Sequence, residues 1–174
     1  LLVVSRIVVI GNSAGDKSTL SLRLANRRDL PRFDSDYLLW QDPGWRPASP
    51  HVYAREHAEI IAQNRWVIDG LGRQDSISGR LARSTEIILI DMPLWMHFWV
   101  ATEWQREWAR RPLNAPPTFP EELPPTWELF KTIWEVDQIW MPDIRRMCVV
   151  AEREGKTVTR LGTVQEIEAF VSAI

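Results

Sequence analysis

The chain has 174 residues, 45% of them hydrophobic, and a net charge of −2. That length and apolar content suffice for one α/β domain spanning residues 1–174, and the near-neutral charge removes any bulk electrostatic basis for binding nucleic acid or an anionic membrane. Apolar runs are too short to cross a bilayer, no leader segment is expected, and one cysteine, Cys148, excludes an internal disulfide, so a cytoplasmic protein with a buried thiol is expected.

Residues 7–10 form an unbroken apolar run that reads as a buried strand, followed by a helical pattern to about Arg28 through Leu20, Leu22, Leu24 and Ala25. Between them lies Gly-Asn-Ser-Ala-Gly-Asp-Lys-Ser, in which Gly11, Lys17 and Ser18 match the register of G-x-x-x-x-G-K-[ST] and Asp16 takes the second glycine. Such a loop binds polyphosphate because small residues let successive backbone N–H groups point at oxygens at a helix N-terminus. Gly11, Asn12, Ser13, Ala14, Gly15, Asp16, Lys17, Ser18 and Thr19 are therefore the candidate nucleotide-binding residues, with Lys17 a mobile cation on the phosphates and Ser18 a ligand of Mg²⁺. A carboxylate at position 16 is expected to repel the polyanion and, in the free protein, to be held by Lys17.

A short strand near residues 32–34 leads into a Trp/Pro/Gly-rich loop over 37–47. Ser49 and Pro50 then open a helix expected to turn Ala54, Ala58, Ile61 and Ala62 inward. Strands follow at 65–70 and 86–91, the first ending in Asp69, which is placed to hold Mg²⁺ through water, and the second in Asp91, read as a helix N-cap. After Pro93 a helix runs to Arg110, with Trp95 and Trp99 on one side and Trp104 and Trp108 nearly opposite, so that it is expected to touch protein on two faces. Several of the ten tryptophans lie in the second half, where they are expected to pack the long helices or line a pocket, with core packing favoured over ligand stacking. Residues 112–125 hold six of the twelve prolines and read as a connector or flap; together with 37–47 it is expected to flank one cleft beyond the strand ends. A helix from Thr126, interrupted at Met141-Pro142, continues toward Glu154; a fifth strand covers 156–161, and Thr163 to Glu166 form a capping box on the last helix. His51, His57 and His97 have no metal-ligand spacing and are read as ordinary helix residues. The alternation of strands and helices predicts a five-stranded parallel sheet in three layers.

Residues 66–73, Trp-Val-Ile-Asp-Gly-Leu-Gly-Arg, resemble the D-G-F-P-R turn of adenylate kinases. With the phosphate loop, Asp36, Trp40, Pro43-Gly44-Trp45, Asp91-Met92-Pro93 and Trp134, nearly the whole chain resembles the adenylate-kinase-like proteins of the FlaR (DNA topology modulation) type. The resemblance implies a P-loop kinase fold of strand order 2-3-1-4-5, ATP and Mg²⁺ as cofactors, and a nucleotide or small molecule as acceptor; it says little about nucleic acid, for which the chain shows no basic stripe or DNA-binding helix signature. It also implies that Arg73 grips the acceptor and that Arg106, Arg110 and Arg111, in a lid around 100–125, supply cations; Arg80 is a weaker anion fork or a surface residue. Asp34 and Asp36, in Phe-Asp-Ser-Asp, resemble the acidic pair of shikimate-kinase-like enzymes that orients an acceptor hydroxyl, with Asp36 the better base. Three readings stay open: a nucleotide or small-molecule kinase, a P-loop binding module without turnover, and a shikimate- or gluconate-type kinase. Monomer and homodimer are both compatible with the sequence.

Overall fold

The computed structural model describes residues 4–39, 47–110 and 126–174. Most of both Trp/Pro-rich segments, and the tip of the proposed lid with Arg111, lie outside the described residues. Five strands, β1 (Ser5–Gly11), β2 (Arg32–Asp34), β3 (Arg65–Asp69), β4 (Glu86–Ile90) and β5 (Thr157–Leu161), pair in parallel in the order β2-β3-β1-β4-β5. This is the expected fold, with β1 central.

Strand periodicity sorts the apolar residues to the two faces of the sheet. Val8, Ile10, Trp66, Ile68, Ile87 and Leu89 pack beneath α3 (Pro50–Ala62), α4 (Gln74–Arg83) and α7 (Met141–Arg153); Ile7, Val9, Val67, Ile88 and Ile90 pack beneath α1 (Lys17–Arg28) and α8 (Val164–Ala173). With both faces covered, the central strands are continuous apolar runs, which is why they were legible. Cys148 is in the first of these cores, fully buried, and burial pushes its thiol up to about 11.

Three elements depart from expectation. In α3 the inward residues are Tyr53, His57 and Ile60, while Ala54 and Ala58 are exposed; the larger side chains remove more surface from water than the alanines. Asp91 does not cap α5 (Leu94–Arg110) but accepts from Arg145 of α7 at 2.9 Å. The tryptophans of α5 and α6 (Thr126–Glu135) are mostly outside the core: Trp95, Trp99, Trp127 and Trp134 are exposed, whereas Trp66 is buried.

The interruption before Pro142 is a π-helical stretch, Val136–Trp140, joining α6 to α7. Proline has no N–H and its ring collides with the carbonyl four residues back. Widening one turn relieves that collision and lets the rod run on.

Candidate active site

The loop from Gly11 to Asp16 connects the C-terminal end of β1 to α1. A Cβ on Gly11 would collide with the Ile90 carbonyl of β4, so glycine is required there for close strand packing. Ala14 and Asp16 both have left-handed backbone, φ 54° and 55°. Glycine in the usual motif meets that demand without strain; aspartate meets it at a modest cost because its short polar side chain tolerates the region better than most.

Asp16 is exposed, and its side chain makes no cap on α1. Lys17, by contrast, is buried and donates from Nζ to the Asn12 carbonyl at 2.6 Å. The expected Lys17–Asp16 ion pair is therefore not formed: the backbone curls the lysine back over the loop while the neighbouring carboxylate points to water. Burial pushes the Lys17 ammonium below its ordinary range, opposed by Asp36, Asp69, Asp34 and Asp16 in decreasing order.

The remaining parts of the site come from the ends of β2 and β3. Ser18 Oγ donates to Asp69 Oδ2 at 3.1 Å. Arg32 of β2 donates from Nη2 to the same oxygen at 3.1 Å and from Nε to Ser21 Oγ at 2.7 Å. Nη2 also lies 3.0 Å from Asp69 Oδ1 as an ion pair, though its N–H groups are not aligned to give that fully buried oxygen a hydrogen bond. Burial, then the Asp34 carboxylate, pushes Asp69 up to about 6, against Arg32 and the hydroxyls of Ser21 and Ser18.

The two aspartates after β2 are both engaged by backbone. Asp34 Oδ1 accepts from the N–H groups of Asp36 and Tyr37 at 2.9 and 3.0 Å, starting α2 (Ser35–Leu39). Asp36 Oδ1 accepts from Leu71 and Gly72 at 3.1 and 2.8 Å, clamping the turn after β3. A Cβ on Gly70 would lie 2.7 Å from Asp36 Oδ2, so Gly70 is what lets that carboxylate sit against the turn.

Arg73 follows this turn and forks Asp75 through Nε and Nη2 at 3.2 and 3.0 Å. Arg80 is not a surface residue, and only its Nη2 is engaged, Nε and Nη1 being buried without a hydrogen-bond partner. It is fully buried and holds the carbonyls of Gly70 and Leu71 at 3.2 and 3.0 Å, behind the turn that Asp36 clamps in front. Arg106 pairs with Glu103 on α5, and Arg110 is exposed at the end of that helix.

Two contacts to the loop had no signal in the sequence. His97 of α5 is buried, and its Nδ1 lies 2.8 Å from the Ser13 carbonyl; a carbonyl only accepts, so Nδ1 carries the proton. Burial and the nearby Lys17 push that ring below the ordinary histidine range, which keeps it neutral. Asn12 Nδ2 donates to the Ile133 carbonyl of α6 at 2.8 Å. Arg32 was also missed, although strand alternation places it on the face of Asp34. A groove of about 570 Å³ between α4 and α7, lined by Ile77, Leu81, Trp140, Ile144 and Met147 among others, includes none of these residues. Chemistry rather than volume marks the site.

No family model and no curated protein matches the sequence. Solved structures do match. Shikimate kinase from Acinetobacter baumannii in complex with shikimate aligns with a TM-score of 0.57 at 14% identity, over 98% of this chain and 90% of that one. This chain has the fold of that shikimate kinase. Shikimate kinase from Bacteroides thetaiotaomicron aligns with a TM-score of 0.53 at 14% identity, over 97% and 95% of the two chains. At such identity the likeness concerns the fold alone. Among the described residues no helix is long and apolar enough to cross a membrane.

Proposed function

We propose that the protein is an ATP- and Mg²⁺-dependent phosphotransferase acting on a hydroxyl group of a small molecule, with the loop 11–19 holding the nucleotide. The observation that carries this reading is the Ser18–Asp69 contact beside Lys17: a hydroxyl, a buried carboxylate and a buried cation converge at the mouth of a nest of backbone N–H groups. Phosphoryl transfer asks little of a protein beyond such placement of charge.

Asp69 suits a divalent cation, because its buried Oδ1 is held only by the Arg32 ion pair and its carboxyl is pushed up to about 6 by burial and then by Asp34, influences that a cation would outweigh. Among the described residues no three His, Cys, Asp or Glu side chains converge as a metal cluster, so Ser18, Asp69 and the nucleotide itself would hold Mg²⁺. Bound there, the ion neutralises polyphosphate charge. Lys17 would leave the Asn12 carbonyl for a phosphate oxygen. Asp36 keeps Oδ2 unengaged by backbone and is the group we assign to receive or orient the acceptor hydroxyl, as the Phe-Asp-Ser-Asp resemblance implies. Arg73, once released from Asp75, would bind an anionic part of the acceptor.

One observation favours the binding-module reading. Among the described cations outside the loop, Arg73 and Arg106 are tied to carboxylates and Arg32 and Arg80 are committed to the protein, which leaves few to stabilise a transition state. The deciding experiment is calorimetric titration with ATP, with and without Mg²⁺, followed by ADP release against a panel of hydroxyl acceptors. Mg²⁺-dependent binding with acceptor-stimulated release supports the kinase; binding without release supports a module that holds nucleotide; no binding refutes the kinase and favours a module whose anion site serves a different ligand. An adenylate-kinase-like or FlaR-type activity is separated from a shikimate-type one by whether nucleoside monophosphates or hydroxy acids stimulate release.

A further inference from the structure

Helices α5 and α6 form an antiparallel pair. Thr126 at the start of α6 bonds Gln105 near the end of α5 at 2.7 Å, and midway the rings of Phe98 and Phe130 meet edge-to-face at 5.2 Å. The shared side is thus Phe98, Ala101 and Gln105 on one helix and Thr126, Phe130 and Ile133 on the other. At about 100° per residue, Trp95 and Trp99 lie about 100° round from that side of α5, and Trp127 and Trp134 lie about as far round from that side of α6, in the same rotational sense. Two antiparallel helices are related by a local two-fold axis perpendicular to them, and a rotation preserves that sense. Both tryptophan stripes therefore emerge on one face of the pair. The side chains are 64%, 63%, 73% and 53% exposed, respectively.

Four indoles exposed to this degree present roughly 400–600 Å² of aromatic surface, at the upper limit of what a monomer leaves to water. A stable interface removes about 800 Å² from each partner, with an aromatic centre and a polar rim. The rim is present. Glu103, Arg106, Glu107 and Arg110 on α5 and Glu128, Lys131 and Glu135 on α6 carry both signs, so the face can complement itself about a two-fold axis. Four glutamates against three cations leave it without the net positive charge that draws a surface to an anionic bilayer. We propose that this face is the interface of a homodimer, two copies of the α5–α6 pair meeting tryptophan to tryptophan.

Sedimentation equilibrium of the full chain between about 1 and 100 μM, the range in which interfaces of this size associate, is the test. The expected result is a species of twice the 20.2 kDa chain mass, with indole emission shifting to the blue as concentration rises. Trp99→Glu with Trp134→Glu, checked for native far-ultraviolet circular dichroism, should weaken association at least about 30-fold, the effect of one central hot spot. Because these residues are exposed, Trp99→Ala serves as a second variant should the double change impair folding. A wild-type chain monomeric at 100 μM overturns the proposal, as does a dimer indifferent to either variant. Binding of a monomer to phosphatidylcholine vesicles, or a monomer whose indoles are already shielded from acrylamide, overturns it in favour of a membrane or of the chain's own cover.

Discussion

Asn12 Nδ2 and the Ile133 carbonyl are 2.8 Å apart and buried, across 121 residues of sequence. The bond fastens the P-loop to α6. Asn12→Ala would remove the buried amide donor from that carbonyl, a loss of about 1–3 kcal/mol, readable as a lower midpoint in urea with an unchanged slope. A variant as stable as the wild type would show that the two groups part in solution.

Lys17 illustrates the conflict between stability and binding. Desolvation is the leading influence on its ammonium, so Lys17→Met should raise the unfolding free energy, by about 1 kcal/mol or more, while abolishing ATP binding. Calorimetry and urea denaturation on one preparation check both signs. A less stable variant would mean that the Asn12 bond and the surrounding carboxylates outweigh desolvation.

Asp16 allows a finer separation of shape from charge. Since its carboxylate points to solvent, repulsion of a polyphosphate is screened and amounts to about 1–2 kcal/mol. Asp16→Asn and Asp16→Gly should each raise ATP affinity about tenfold, asparagine doing so because it keeps the left-handed backbone and loses only the charge. If glycine succeeds where asparagine fails, bulk and not charge is the obstacle.

Two buried groups should titrate against each other. Asp69 moves from 3.8 to about 6, so between those values the folded chain keeps a proton that the unfolded chain has lost, and raising the pH removes about 3 kcal/mol of stability. His57 moves the other way, from 6.5 to about 4, through burial and then the nearby Arg80; there the unfolded chain holds the extra proton and raising the pH adds stability. Asp69→Asn should therefore expose the rising limb and His57→Gln the falling one. Melting temperatures from pH 4 to 7 decide it; an Asp69→Asn profile parallel to the wild type would be the contrary result.

The sheet was readable because residues 7–10, 66–68 and 87–90 are apolar without alternation and the loop after the first is chemically specific. What could not be read depends on which competing face wins. The pattern in α3 admits two neighbouring stripes, and the one with Tyr53 and His57 prevails by size. The tryptophans of α5 and α6 carry apolar bulk whose destination no periodicity reveals. At the site, Lys17, Ser18 and Asp69 announce themselves by motif and strand end. The histidine at 97 and the Ile133 carbonyl do not, since their partners lie 84 and 121 residues away. Arg80 was misjudged because a lone arginine on a helix is nearly always solvated.

The widened turn at Val136–Trp140 is in effect one surplus residue in a continuous rod. It resets the phase between two stretches that answer to different masters: Ile133 points where the phosphate loop needs it, and Ile144, Cys148 and Ala151 point where the sheet needs them. Lineages of this fold that lose one residue between 136 and 140 would keep both alignments only if the proline at 142 is lost too, since the narrowed turn returns its ring to the carbonyl four residues back. A loss two turns away on either side would rotate one half out of place. Length variation in this rod should accordingly be confined to that single turn.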